Sequence, residues 1–194
     1  MRQLRRQLAL VTVIVTTLIG LAFPAAASTD TKARADATAR TLYVFGPYNI
    51  YNIATGKCVD IPGYSSGWVG ATVNEYTCDY GSSDNQQFYL DQDAYDGSEF
   101  LIRNLKDDLC LDPPDNGWMP PGTPISEYTC QAGGGDNQQF QLIPRPGYRN
   151  YWLRNSKSGY CLDVVGMRTG GNDARLTLYP CDENDNDDHV WALI

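Results

Sequence analysis

The chain has 194 residues, with six cysteines, one histidine, and 23 acidic against 15 basic side chains, a formal net charge of −8 at neutral pH. An acidic surface of this kind repels phosphate backbones and anionic lipid, which sets aside nucleic acid and membrane surfaces as partners. The only histidine is His189, and a nucleophile–histidine arrangement has no obvious members.

The first residues differ in kind from the rest. Arg2, Arg5 and Arg6 precede an apolar run over 9–23 and the small residues Ala25, Ala26 and Ala27. That is the layout of a secretory signal peptide over 1–27. The apolar run is short for a membrane-spanning helix and no second run follows, so no membrane insertion is expected. Arg5-Arg6 leaves a twin-arginine route open. Secretion into an oxidising compartment, with an even number of cysteines, predicts disulfides. Residues 28–45 read as a flexible lead-in, small and polar through Arg40, and 46–194 suffices for one domain with its own core.

Within that domain the pentapeptide DNQQF occurs twice, at 84–88 and 136–140, and its surroundings recur with it. The copies align on Cys58, Cys110 and Cys161. Upstream lie Ile50, Ile102 and Leu153, then Asn52, Asn104 and Asn155, which read as turn residues. Downstream come Asp60, Asp112 and Asp163, the apolar set Val73, Ile125 and Leu176, and the tyrosines Tyr76, Tyr128 and Tyr179. The second cysteines Cys78, Cys130 and Cys181 follow, then Phe88, Phe140 and Trp191, whose size and position place them in the core. Three equivalent units over about 46–96, 97–147 and 148–194 result. Only the pairs Cys58–Cys78, Cys110–Cys130 and Cys161–Cys181 respect the repeat locally, and each closed loop contributes about 3 kcal/mol on a chain-entropy estimate. Alternating apolar residues such as Phe88 and Leu90, cut by Gly/Pro/Asn/Asp clusters, predict an all-β chain. About four short strands per unit closing into a barrel would leave no free sheet edges.

Three Cys pairs in phase with Asp after the first cysteine, an aromatic before the second, and NQQF or its equivalent resemble the ricin-type lectins with their Q-x-W repeats. The resemblance covers residues 48–194. It implies a β-trefoil with pseudo-threefold symmetry, no cofactor, no metal and no catalytic residues. It also implies one glycan site per unit, with a lean to galactose-type sugars. Carried over residue by residue, the first unit supplies Asp60, Asn74, Tyr76, Asn85 and Gln86, and the second Asp112, Ser126, Tyr128, Asn137 and Gln138. The third supplies Asp163, Thr177 and Tyr179 but has Asp188 and His189 where Asn and Gln are expected.

The chemistry fits without the family. A carboxylate and an amide together hold neighbouring sugar hydroxyls, and an aromatic ring covers the C–H face. Gln86 and Gln138 could equally tie backbone, and Trp68 and Trp118 either wall the pockets or cover the barrel. In the third unit Asp163 and Asp188 are expected to repel across the pocket unless a proton or hard cation intervenes. The alternative is that Asp188 turns out to solvent. The functional expectation is a secreted, non-catalytic lectin. The alternatives are a sugar-binding delivery subunit with a partner chain outside this sequence, a trefoil protease inhibitor, and a glycoside hydrolase.

Overall fold

Thirteen short strands run through the described residues, with no helix among them. The structure is a computed structural model and describes residues 43–92, 97–133, 135–182 and 188–194. The expected signal peptide, and the lead-in as far as residue 42, lie outside the described residues. The first unit contributes β1 (Val44–Asn52), β2 (Cys58–Asp60), β3 (Asn74–Tyr76) and β4 (Gln87–Gln92). The second contributes β5 (Phe100–Asn104), β6 (Leu109–Asp112), β7 (Thr123–Pro124), β8 (Ser126–Thr129) and β9 (Phe140–Pro144). The third contributes β10 (Tyr151–Asn155), β11 (Cys161–Val164), β12 (Ala174–Tyr179) and β13 (Trp191–Leu193). Each unit thus has the expected four strands, the second unit's third strand being split at Ile125.

The outer strands of the units close on themselves. β1 pairs β4, β4 pairs β5, β5 pairs β9, β9 pairs β10, β10 pairs β13 and β13 returns to β1, all antiparallel. Closure leaves these six strands without an open edge. The inner hairpins β2–β3, β6–β8 and β11–β12 each join the ring through one pairing, β1–β2, β5–β6 and β10–β11, and meet one another through β3–β12, β7–β12 and a bridge from Thr72 to Ser126. This barrel with a triangular cap is the β-trefoil.

The barrel begins earlier than residue 46. Val44 and Phe45, expected in the lead-in, pair with Asp91 and Leu90, and Phe45 meets Phe100 edge-on at 6.0 Å. β1 then shifts register between Phe45 and Tyr48, where Gly46 has φ 108° and a Cβ would come within 2.9 Å of the Phe88 carbonyl oxygen.

The core is the repeat seen in section. Ile50, Ile102 and Leu153, with Phe88, Phe140 and Trp191, are inaccessible to solvent, and Val73, Ile125 and Leu176 join them in one cluster. The Trp191 indole N–H donates to the Leu162 carbonyl at 2.8 Å, so its burial leaves no polar atom unsatisfied. All three predicted disulfides form, with Cα–Cα separations of 5.0, 5.0 and 5.1 Å.

The asparagines are turn residues as expected, and they also latch the units together. The Asn52 side-chain oxygen accepts from the N–H groups of Ala54 and Thr55, while Nδ2 donates to the Asp188 carbonyl at 2.5 Å. Asn104 donates to the Asn85 carbonyl at 2.6 Å and Asn155 to the Asn137 carbonyl at 2.5 Å. Each unit therefore holds, around the ring, the backbone of the preceding unit's Asn-Gln position. All three amides are buried, so losing a partner would leave a desolvated polar group costing about 1–3 kcal/mol.

A second threefold set breaks its own symmetry. Glu75 and Glu127 are fully buried in the cap, whereas Leu178 fills the equivalent place in the third unit. A Cβ on Gly67 would collide with the Glu127 carboxylate, and one on Gly170 with the Glu75 carboxylate. The residue equivalent to these glycines is Met119, which joins Leu178 in the apolar cluster. Burial, with Asp107 nearby, pushes the Glu127 carboxyl up to about 8. Burial likewise lifts Glu75 to about 7, against the hydrogen bond from Thr55 and the charge of Lys57 and with the charge of Asp188.

Candidate functional site

In each unit the inner hairpin brings the predicted pair together by register. Asp60 lies opposite Asn74, Asp112 opposite Ser126, and Asp163 opposite Thr177. The tyrosine two residues on shares the face of that Asn, Ser or Thr. Tyr76, Tyr128 and Tyr179 are 37%, 42% and 47% exposed, in keeping with rings that have no full cover of their own.

The first two units use one device to aim the carboxylate. Gln86 Nε2 donates to Asp60 Oδ1 at 2.9 Å and to the Thr77 carbonyl at 3.2 Å, while its Oε1 accepts from the Asp79 N–H at 2.8 Å. Gln138 repeats this with Asp112 Oδ1 at 2.9 Å, the Thr129 carbonyl at 3.1 Å and the Gln131 N–H at 2.9 Å. Both glutamines thus tie backbone, and both also fix one oxygen of the aspartate. The other oxygen of each aspartate has no protein partner among the described residues. Burial pushes both carboxyls up to about 6 despite the hydrogen bonds from Gln86 and Gln138. Asp84 and Asp173 add to the rise at Asp60, and Asp136 at Asp112.

The neighbouring asparagines point elsewhere. Asn85 Nδ2 donates to the carbonyls of Gly63 and Ser65 at 2.8 and 2.9 Å, and Asn137 Nδ2 to the carbonyl of Asp115. They fasten the loop after the second strand of their unit. In the first unit that loop carries Tyr64, which lines a cavity of about 240 Å³ with Asp60, Tyr76, Asp84 and Asp173. Tyr64, Asp84 and Asp173 were not among the residues expected from sequence. Asp84 heads the repeated pentapeptide and could have been included. Asp173 comes from the third unit's loop, at the position of Gly70 and Gly122, and keeps their left-handed backbone with φ 68° where theirs are 88° and 82°. A non-glycine residue in that region is uncommon and draws notice at a pocket wall. Trp68 and Trp118 are 63% and 73% exposed, and neither lines the cavity of the first or the third hairpin.

The third unit departs from expectation. Asp188 does not line the pocket beside Asp163, nor does it turn to solvent; it is fully buried, and its Oδ2 accepts from the Arg168 N–H at 2.8 Å. The physical reason lies in loop polarity. The corresponding loops of the first two units offer carbonyl oxygens, which an asparagine amide satisfies. Here the left-handed Met167 and Arg168 (φ 44° and 67°) offer an N–H, which a carboxylate satisfies. His189 takes the glutamine's place on the backbone, its Nε2 lying 2.6 Å from the Asp182 carbonyl oxygen and 3.2 Å from the Asp182 nitrogen. Thr177 Oγ1 reaches Asp163 Oδ2 at 3.4 Å. The cavity here is more spacious than that of the first unit, about 610 Å³, and Asp163, Thr177 and Tyr179 line it beside Val164, Val165 and Met167.

Comparison with known proteins agrees with this geometry. The family described as the ricin-type beta-trefoil lectin domain matches residues 46–191. No curated protein sequence matches the chain. Among solved structures, a designed threefold-symmetric protein, ThreeFoil, is 24% identical with a TM-score of 0.63, over 77% of this chain and 99% of that one. The Macrolepiota procera ricin B-like lectin in complex with lactose is 15% identical with a TM-score of 0.59, over 76% of this chain and 94% of that one. An exo-beta-1,3-galactanase from Clostridium thermocellum is 24% identical with a TM-score of 0.61, over 76% of this chain but only 30% of the enzyme. At these identities the likeness is one of fold.

Proposed function

This chain belongs to the ricin-type β-trefoil lectin family, and from that premise we propose that it is a secreted, non-catalytic glycan-binding protein with sugar pockets in its first and second units. The observation that carries the reading is the twofold occurrence of a buried aspartate clamped through one oxygen by a glutamine, beside a half-exposed tyrosine. The unclamped oxygen is an acceptor for a sugar hydroxyl, and the ring offers an apolar face to the sugar's C–H groups. Because the clamp pre-sets the carboxylate, ordering on binding costs less. The lactose bound to the Macrolepiota procera lectin supports the lean towards galactose-type sugars.

Two pockets on one rigid barrel raise apparent affinity for a surface bearing many glycans well above that for a free monosaccharide. A glycan array with the intact protein, followed by calorimetry with the best ligand, tests the reading. Retention on galactose-type glycans with two sites per chain is expected, whereas no retention on any glycan would overturn it. Since this fold also makes up part of a longer enzyme, incubation with the same glycans and product analysis tests the catalytic alternative. Unchanged glycans are expected.

A further inference from the structure

The pocket of the first unit differs from that of the second in charge. Its cavity of about 240 Å³ is lined by three aspartates, Asp60, Asp84 and Asp173, with Gly63, Tyr64 and Tyr76. Tyr64, Tyr76 and Asp84 also line an adjoining hollow of about 520 Å³ that continues to Asp79 and Tyr80. Among the described residues no lysine or arginine lines either cavity. Asp84 and Asp173 both act on Asp60 by like-charge repulsion, and no basic group is among the charges that act on it. The negative charges of all three residues therefore converge on one small cavity.

Two of these carboxylates are fixed by the protein through one oxygen and open through the other. Asp60 Oδ1 accepts from Gln86 Nε2 at 2.9 Å, and Asp84 Oδ1 from the Asn85 N–H at 2.8 Å. The two residues are only 5% and 7% exposed, yet neither Oδ2 is sealed from solvent, and neither has a donor among the described residues. In the second unit Asp136, the counterpart of Asp84, has its Oδ2 sealed. Asp173 arrives from the third unit on a turn whose N–H donates to the Glu75 carbonyl at 2.9 Å. The same bond sets Gly70 against the Glu127 carbonyl and Gly122 against the Leu178 carbonyl, both at 2.8 Å. The position that brings a carboxylate to the first pocket thus brings no side chain to the other two. Tyr64 in turn has Asn116 as its counterpart in the second unit.

Largely buried carboxylates that repel one another are costly to keep charged, and a cation among them relieves that cost. No group of three acidic, histidine or cysteine side chains among the described residues can hold a metal ion. An alkylammonium has three N–H donors to spread over separate acceptors, and tyrosine rings attract it through their faces. We propose that the first pocket selects an amino sugar, its ammonium placed among Asp60, Asp84 and Asp173 and its ring against Tyr76, while the second pocket takes a neutral unit. This assignment rests on the glycan-binding reading of the first pocket and names the class of unit it accepts. The adjoining hollow leaves room for the next unit of the glycan beside Tyr64 and Tyr80.

The test is an amide-resolved NMR titration of the intact protein at pH 7. The probes are methyl galactoside, its 2-amino-2-deoxy and 6-amino-6-deoxy counterparts, the N-acetyl form of each, methylammonium, and calcium chloride. At least one amino sugar is expected to shift the amides of Tyr64, Tyr76 and Asp173 saturably and about tenfold more tightly than its N-acetyl form or the neutral galactoside, while the amide of Tyr128 shows no such preference. Which of the two amino sugars does so locates the ammonium on the ring. Asp173→Asn, a residue type that tolerates left-handed backbone, should lower the ratio of amino-sugar to neutral-sugar affinity at the first pocket severalfold or more, as should Asp84→Asn, which keeps the acceptor for the Asn85 N–H. The response at Tyr128 should be unaltered in both variants. Amino-sugar selectivity is refuted if neutral and amino sugars bind the first pocket equally, if folded Asp173→Asn and Asp84→Asn proteins both keep the parent ratio, if methylammonium binds as tightly as the amino sugar, or if calcium occupies these carboxylates in its place. Those outcomes leave the glycan-binding reading standing, whereas the absence of any sugar response at both Tyr76 and Tyr128 would overturn that reading and this one together.

Discussion

The first two units and the third solve the same structural problem with opposite chemistry. In the first two, a loop turns carbonyl oxygens towards an asparagine amide, and a glutamine clamps the pocket aspartate. In the third, the loop turns an N–H towards a carboxylate, and a histidine replaces the glutamine on the backbone. The cap repeats the split, with Glu75 and Glu127 beneath glycines in two units and Leu178 with Met119 in the third. What is constant across the three is therefore that the side chain at the Asn-Gln position bonds the neighbouring loop, and whether that side chain is an amide or a carboxylate follows from whether the loop backbone presents an acceptor or a donor.

Removing the glutamine-clamped aspartates should erase most of the difference between the units. Asp60→Ala and Asp112→Ala each delete the acceptor of a sugar hydroxyl, at about 1–3 kcal/mol of binding free energy per site, while Gln86 and Gln138 keep their bonds to the Thr77 and Thr129 carbonyls. The double variant should keep its thermal transition and lose most retention on a multivalent glycan surface, while Asp163→Ala leaves most of it. A folded double variant with undiminished retention would refute the assignment. Because burial pushes both carboxyls up to about 6, retention by the parent protein should also fall as the pH drops below that value, since a protonated carboxyl loses acceptor strength.

The buried glutamates separate the units through stability instead. The folded carboxyls of Glu75 and Glu127 lie at about 7 and about 8, raised from 4.5. A raised carboxyl favours the folded state fully below its unfolded value, and that contribution is lost as pH rises towards and through the folded one. Each pH unit between the unfolded and folded values corresponds to about 1.4 kcal/mol, so the protein should be more stable at pH 5 than at pH 9 by at least about 2 kcal/mol. Denaturant midpoints at several pH values check this. Glu75→Gln with Glu127→Gln should flatten the profile, and a parent profile already flat across this range would count against burial as the cause of the raised values.

The repeat made most of the barrel legible beforehand. Cysteine phase, alternating apolar residues and the three closing aromatics prescribe the strands, the disulfides and the core, because each equivalent position must fill the same space. Residues whose role depends on the direction of nearby backbone were not legible. Nothing in the letters Met167 and Arg168 announces two left-handed residues, so the acceptor at Asp188 looked like a defect in the pocket. Glu75 and Glu127 read as ordinary strand positions because the glycines that admit their carboxylates come from other units.

A smaller effect distinguishes the first pocket from the second. Asp173 enters the first pocket from the third unit with φ 68°, where glycine stands in its siblings. Asp173→Gly removes a carboxylate from the first pocket wall while relieving its backbone strain, so sugar affinity should change in that pocket alone, by about tenfold or less. The thermal transition should hold or rise slightly. Site-resolved titration reads the two pockets separately, and equal changes in both would mean that Asp173 acts through the fold and not on the ligand.

The most direct exchange between the two kinds of unit should also produce the least change. In the first two units the glutamine amide both accepts from backbone and donates to the aspartate, two roles that lie at opposite ends of one planar group. In the third unit His189 Nε2 is engaged with Asp182, and a ring cannot present a second donor from that same edge. His189→Gln should let the amide bridge Asp182 and Asp163 as its counterparts do, fixing the Asp163 carboxylate for a sugar hydroxyl. The gain is that of one added buried hydrogen bond, about 0.5–1.5 kcal/mol, or a few-fold in affinity at the third pocket. Asp188 is best left in place, because Asn there would weaken the bond to the Arg168 N–H. Titration of the variant with the sugar selected on the array should show tighter or newly measurable binding at Tyr179, with Tyr76 and Tyr128 unchanged. No change at Tyr179, in a variant whose structure shows the introduced glutamine bonded to Asp163, would mean that the apolar wall of Val165 and Met167, and not the missing clamp, decides what this pocket accepts.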